Sequence, residues 1–151
     1  MINKIISRSQ VAGLMKDLKK KRRKIVFTNG CFDLLHVGHV RYLKEARGLG
    51  DCLIIGLNSD QSIRQIKDPA RPLISEDQRT EVLAALECVD YIVLFDEADP
   101  FKLIEDIRPD VLVKGADWSM DKIIGADLVP LISTSEIIHR IISRYKKLPS
   151  K

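Results

Sequence analysis

Four short runs of uninterrupted apolar residues, 25–27, 52–57, 91–95 and 111–113, recur along the chain with helix-length stretches between them. Continuous rather than alternating apolar runs belong to strands buried on both faces, and strands separated by helices pair in parallel. That pattern constrains the chain more than any other: it requires a sheet covered by helices on both sides. With 151 residues, 45% of them hydrophobic, there is material for one core and too little length for two ordinary domains. The expectation is one domain over residues 1–151, with an N-terminal helix and basic run at 1–23 and a core at 24–151.

The intervening segments carry their own signals. In residues 9–20, Val11, Leu14, Met15 and Leu18 recur at spacings of three and four, which predicts a short amphipathic helix with Ser9 as N-cap. Ile25-Val26-Phe27 is broken by Thr28-Asn29-Gly30 and followed by a helical stripe, Val37, Val40, Leu43 and Ala46, stopped by Gly48 and Gly50. Residues 63–73 are basic and proline-broken, and read as a loop. Ser75 starts another helix with Glu76 and Asp77 in its first turn and Val82, Leu83, Ala85 and Leu86 as its apolar stripe. Residues 100–107 predict a short helix with Pro100 at its start. Alternation of this kind specifies an α/β fold: a Rossmann-like, doubly wound parallel sheet in a three-layer α/β/α sandwich.

No apolar run approaches the roughly 20 residues of a membrane-spanning helix, and residues 1–9 lack the apolar core of a secretory signal. A cytoplasmic protein with no membrane partner is expected. The three cysteines, Cys31, Cys52 and Cys88, lack the paired spacing of a disulfide framework or a zinc site, and are expected as reduced thiols. Twenty-five Lys plus Arg against 21 Asp plus Glu leave a net charge of +4, compatible with an anionic small molecule or nucleic acid. The basic run at 19–24 has no interleaved aromatic residues to stack bases, so a solvated helix end is favoured there over a nucleic-acid patch.

In an open parallel sheet, ligands bind outside the carboxyl ends of the strands. Three polar clusters fall there: residues 28–39, 58–60 and 114–118. The densest is Asn29-Gly30-Cys31-Phe32-Asp33-Leu34-Leu35-His36-Val37-Gly38-His39, a glycine-bearing loop feeding a helix. Spacing of three puts His36 and His39 on one helix face, and the free N–H groups of a helix start favour an anion. Gly38 between them leaves room for a phosphate near the backbone. A metal site is the weaker alternative, since no third strong ligand lies close in sequence. Ser133-Thr134-Ser135-Glu136 has capping-box spacing ahead of an apolar helical stripe, and its three hydroxyls also suit an anion.

The stretch Gly30 to His39 resembles the HxGH signature of the nucleotidylyltransferase superfamily, in the GxFDxxHxGH form of cytidylyltransferase-like enzymes. Residues 27–39, Asn58-Ser59-Asp60, Arg71-Pro72, Asp77-Gln78-Arg79 and residues 113–118 further resemble the adenylyltransferase half of bifunctional ADP-heptose synthases. The resemblance implies a Rossmann-like fold and transfer of AMP from ATP, with Mg²⁺, to D-glycero-β-D-manno-heptose 1-phosphate, releasing pyrophosphate. The sugar kinase half of those enzymes does not fit in this length, so a stand-alone adenylyltransferase is expected. The nearest alternative is a CTP-dependent enzyme acting on glycerol 3-phosphate; a non-catalytic nucleic-acid-binding module is the remote one.

Carried over residue by residue, the resemblance implies that His36, His39 and Lys67 are catalytic. It assigns Asn29, Gly30, Cys31, Phe32, Gly38, Arg79, Lys114, Gly115, Asp117, Ser133, Thr134 and Ser135 to the nucleotide. Asp33, Asn58, Asp60, Arg71 and Trp118 fall to the acceptor, Asp33 also standing where a metal contact is expected, and Mg²⁺ falls mainly to the triphosphate. Relatives are commonly dimers, and a homodimer is expected, with the N-terminal helix packed across the subunit boundary. The chain departs from the family pattern in one place. Where relatives carry a further strand and a glycine loop before Ile132-Ser133-Thr134, only Pro130 and Leu131 follow Val129. Two residues span at most about 7 Å, too short for that addition.

Overall fold

The computed structural model describes residues 3–114. Gly115, Asp117, Trp118, Ser133, Thr134, Ser135 and the short spacing before Ser133 lie outside the described residues. The elements run β1 (Ile5–Ile6), α1 (Val11–Lys20), β2 (Ile25–Gly30), α2 (Val37–Arg47), β3 (Cys52–Asn58), α3 (Asp60–Ile66), α4 (Glu76–Ala84), β4 (Tyr91–Phe95), α5 (Phe101–Ile107) and β5 (Val111–Val113). All pairings are parallel and the strand order is β1-β4-β3-β2-β5. The chain therefore steps outward from β2 through β3 to β4, then returns to place β5 on the other side of β2. That reversal opens a crevice at the carboxyl end of β2, where an α/β sheet binds its ligands.

Both faces of the sheet are covered, as its continuous apolar strands demand. Ile25 and Phe27 of β2 point to one layer, packing with Val11 and Met15 of α1 and Leu103, Ile104 and Ile107 of α5. Val26 points to the other, with Leu43 and Ala46 of α2 and Leu83 of α4. Each fully buried Val, Leu or Ile contributes about 1.5–3 kcal/mol, so these two half-cores hold the strand ends in place. The fold is the expected Rossmann-like α/β/α arrangement. No helix among the described residues is long and apolar enough to cross a membrane.

Several local expectations are corrected. The two-residue β1 pairs with β4 at the sheet edge and is too short to leave a pattern in sequence. The N-terminal helix is entered through a 3-10 turn, Arg8–Gln10, with Ser7 rather than Ser9 at the cap position, its N–H donating to Gln10 Oε1 at 2.8 Å. The apolar side of α1 packs within this chain against α5, with Val11 and Met15 buried and Leu14 and Leu18 partly buried. β2 does not break at Thr28 but continues through Asn29 and Gly30, paired with Gly56 and Leu57 of β3. The stretch read as loop from Ile63 begins inside α3, capped by Ser59, whose side chain accepts from Ser62 N–H at 3.1 Å. Helix α4 follows a different stripe: Val82 is half exposed, while Arg79 and Thr80 are buried beside Leu83. On α2, Val37 is largely exposed, because it opens the helix beyond the edge of the core.

Candidate active site

Helix α2 starts at the crevice. His36 is its N-cap, in extended backbone, and its ring folds back so that Nδ1 accepts from Gly38 N–H at 3.1 Å. His39 Nδ1 accepts from His36 N–H at 3.3 Å, and the two rings lie 4.1 Å apart between centroids. These bonds occupy Nδ1 of each ring, which places the proton of each neutral imidazole on Nε2. Two Nε2–H donors are thus presented at a helix start whose dipole already favours an anion. Gly38 is needed for this: a Cβ there would lie 2.7 Å from His36 Cε1. The space expected for a phosphate is filled by an imidazole.

Phe32 sits behind the histidines in left-handed backbone (φ 47°), its ring 5.5 Å from that of His39. Gly30 makes room for it, since a Cβ at that position would meet Phe32 Cε2 at 3.1 Å. On the other side of β2, buried Lys114 at the end of β5 donates to Asn29 Oδ1, and burial pulls its ammonium down to about 8. Neighbouring parallel strand ends thus bring Asn29 and Lys114 together, as their positions in sequence imply.

Between the β2–α2 loop and the α3–α4 loop lies a cavity of about 270 Å³, lined by Cys31, Asp33, Ile63, Lys67, Asp68 and Arg71. Lys67 is the C-cap of α3, and among the described residues its ammonium makes no hydrogen bond or ion pair. Arg71 uses one nitrogen, Nη1, on Asp33 Oδ2 at 2.8 Å and is otherwise substantially exposed. Burial pushes the Cys31 thiol up, partly opposed by the nearby cations Lys67 and Arg79. Asp33 is set differently. Burial raises its pKa, but the N–H groups of Ile74 and Leu73 and the Arg71 guanidinium outweigh this and hold the carboxyl below its usual range.

Arg79, Asn58 and Asp60, expected to touch nucleotide or acceptor, do not line the cavity and are bonded to one another and to the loops around it. The Arg79 side chain is 1% exposed, and its guanidinium is spent on protein: Nε on Ile74 O at 2.9 Å, Nη1 on Cys31 O at 2.6 Å and Asn58 O at 2.8 Å, Nη2 on Asp60 Oδ1 at 2.7 Å. Asn58 Nδ2 donates to Ser62 Oγ at 2.9 Å, and the Asp60 N–H donates to Glu76 Oε2 at 2.6 Å. One buried cation therefore ties together the loop after β2, the end of β3, the start of α3 and the segment entering α4. Sequence reasoning missed Asp68 and Ile63 as cavity residues; the acid between two cations, Lys67-Asp68-Pro69-Ala70-Arg71, is the only signal that pointed there.

The sequence profile of the cytidylyltransferase-like family matches residues 27–146. Among curated relatives, the bifunctional protein HldE of Syntrophotalea carbinolica is 50% identical over 96% of this chain and 32% of its own length. That of Citrifermentans bemidjiense is 54% identical over 82% of this chain and 28% of its own length. The chain spans about a third of the length of these relatives. The first alignment runs over 158 positions, more than this chain's 151, so that relative carries residues with no counterpart here. Among solved structures, the lipopolysaccharide core biosynthesis protein of Thermoplasma volcanium superposes with a TM-score of 0.59 at 28% identity, covering 82% of this chain and 89% of that one. The pantoate-beta-alanine ligase of Francisella tularensis, at 17% identity and a TM-score of 0.56, covers 94% of this chain and 62% of its own, and shares the fold. With the profile covering most of the chain and the paired histidines at the start of α2 supplying its signature, the chain belongs to the cytidylyltransferase-like family of nucleotidyltransferases.

Proposed function

We propose that the chain transfers AMP from Mg·ATP to D-glycero-β-D-manno-heptose 1-phosphate, giving ADP-heptose and pyrophosphate. The observation that carries this reading is a helix start presenting two imidazole N–H donors beside a cavity with two cations, Lys67 and Arg71. The choice of nucleotide and sugar rests on the resemblance to bifunctional ADP-heptose synthases and on the roughly 50% identity to HldE proteins.

The reaction is an in-line displacement. An oxygen of the sugar phosphate forms a bond to the α-phosphorus, the bond from that phosphorus to the β-phosphate oxygen breaks, and pyrophosphate leaves with its electron pair. No protein nucleophile is needed, so the protein's work is positioning and charge stabilisation. His36 and His39 donate to oxygens on which charge grows as pyrophosphate departs. Lys67 and Arg71 hold the acceptor's phosphate in the cavity, and Lys114 and Asn29 face the nucleotide. On this reading Mg²⁺ comes with the nucleotide's phosphates as part of the substrate, its charge neutralising the triphosphate there.

The test is pyrophosphate release with Mg²⁺, pairing ATP or CTP with the heptose phosphate or glycerol 3-phosphate. Release from ATP with the heptose phosphate alone is expected; release from CTP with glycerol 3-phosphate overturns the substrate assignment. Replacing His39 by Ala is expected to lower turnover by about 100-fold or more with the thermal unfolding midpoint little changed. Near-normal turnover in that variant removes the histidines from the mechanism.

A further inference from the structure

Asp33 is the third residue of the loop that follows β2, yet its carboxylate bonds to a segment some forty residues later. Oδ1 accepts from Leu73 N–H at 2.8 Å and Ile74 N–H at 2.9 Å, and Oδ2 from Arg71 Nη1 at 2.8 Å. Both oxygens are engaged, so the side chain has little capacity left for an acceptor hydroxyl or a cation. What it holds is the α3–α4 loop. That loop leaves α3 at Lys67, turns on itself through Asp68, whose Oδ1 accepts from Ala70 N–H at 2.8 Å, and carries Arg71 before α4 begins. Leu73 is 58% exposed, so no packing of its side chain fixes the loop there. Among the described residues, apart from the local turn and the Arg79 bond to Ile74 O, the hydrogen bonds that tie this loop to the site are those to Asp33.

We propose that Asp33 is a positioning residue: by latching Arg71 and the backbone of Leu73 and Ile74, it holds the Lys67–Arg71 loop over the cavity and sets the affinity for the acceptor's phosphate while leaving nucleotide affinity alone. The inference rests on the proposed seating of the acceptor phosphate between Lys67 and Arg71. Its physical basis is that charge-assisted bonds to one carboxylate fix two backbone N–H groups and one guanidinium at once, where free loop residues would pay the ordering entropy on every binding event.

The experiment uses the full chain, with Asp33→Asn as the test variant and Arg71→Gln, on a substantially exposed side chain, as a second one. Two readouts are independent of turnover: amide hydrogen exchange by NMR, and calorimetric binding of inorganic phosphate with the nucleotide site filled by a non-hydrolysable ATP analogue. Asp33→Asn is expected to speed exchange at Leu73 and Ile74 about tenfold or more, leave Ile54 and Ile55 in β3 protected, and weaken phosphate binding about tenfold with analogue binding unchanged. Arg71→Gln is expected to weaken phosphate binding similarly, and the double variant to be little worse than either single one. Unchanged phosphate binding in Asp33→Asn, or equal loss of phosphate and analogue binding, overturns the latch. Failure of the catalytic reading would appear separately, as no pyrophosphate release from the unaltered chain with any substrate pair.

Discussion

Replacing Arg79 by Met tests the floor of the site, because the substitution keeps most of the length of the side chain and removes only its charge and donors. The guanidinium is 1% exposed and makes four hydrogen bonds, to Ile74 O, Cys31 O, Asn58 O and Asp60 Oδ1. Its loss leaves three carbonyl oxygens without that donor and the Asp60 carboxylate, 24% exposed, without its counter-charge. Removing one partner of a buried pair costs about 3–5 kcal/mol, and because water reaches Asp60 the lower part of that range, about 3–4 kcal/mol, applies here. Against a typical domain stability of about 5–15 kcal/mol the variant remains folded at room temperature. Its thermal midpoint should fall by roughly 10 °C. Arg79→Lys keeps the charge but places its three donors on one atom, which cannot span acceptors on separate segments, so it should recover no more than about half of the loss. Urea unfolding followed by circular dichroism measures both. An Arg79→Met variant within about 0.5 kcal/mol of the unaltered chain would refute the network. Normal stability in Arg79→Lys with weakened nucleotide binding would return Arg79 to the role of a phosphate contact.

Gly38→Ala separates stability from function: Ala is favoured over Gly inside a helix by up to about 1 kcal/mol, yet its Cβ would displace the His36 ring. The expected result is an unchanged or higher melting midpoint with turnover reduced at least about tenfold; full turnover would show that the folded-back ring is dispensable. Lys114 supplies the pH dependence. Its folded pKa of about 8 lies below the ordinary 10.5, so above pH 8 the unfolded chain binds the extra proton and stability rises with pH. The slope reaches at most about 1.4 kcal/mol per pH unit. Above pH 9 the buried Cys52 thiol, pushed up to about 12 chiefly by desolvation, contributes the opposite slope. The thiols of Cys31 and Cys88, also pushed up by burial, act in the same sense as Cys52 and are common to both proteins. Urea unfolding at pH 7.5 and 9.0 should therefore show a more favourable change in stability for the unaltered chain than for Lys114→Met; equal behaviour of the two would place the proton elsewhere.

Much of the fold was legible because its strands are continuous apolar runs, which parallel pairing buries on both faces whatever the loops do. Residues 52–57 and 91–95 could not have been anything else. The edges were less so. β1 is two residues long, and Thr28, Asn29 and Gly30 look like a turn until the neighbouring backbone of Gly56 and Leu57 is there to pair with them. Helix α3 has one deeply buried apolar side chain, Ile63, so no period could reveal it. At the site, the histidine pair was legible because cap and spacing are local properties of the sequence. The partners of Asp33 and Arg79 were not, since they lie 38 to 48 residues away for the contacts that matter most.

That difference explains which polar residues near the crevice turn out to be bonded within the protein. A polar residue near a strand's carboxyl end reads as a ligand contact, yet loops converging on a crevice must also satisfy their own backbone groups, and buried carbonyls go unpaired only at a cost of about 1–3 kcal/mol each. Arg79 meets that demand with its whole guanidinium, Asn58 with its amide nitrogen, and Asp60 with one carboxylate oxygen. Other donors lie at the rim: His36, whose Nδ1 is the bonded ring nitrogen, and, among the described residues, the Lys67 ammonium and the part of the Arg71 guanidinium beyond Nη1. A rigid floor fixed by one buried guanidinium and a basic loop held by one carboxylate divide the work, the first maintaining the crevice and the second bringing cations to it. The division predicts where substitutions act: changes beneath the cavity register in stability, and changes along its rim in affinity for phosphate.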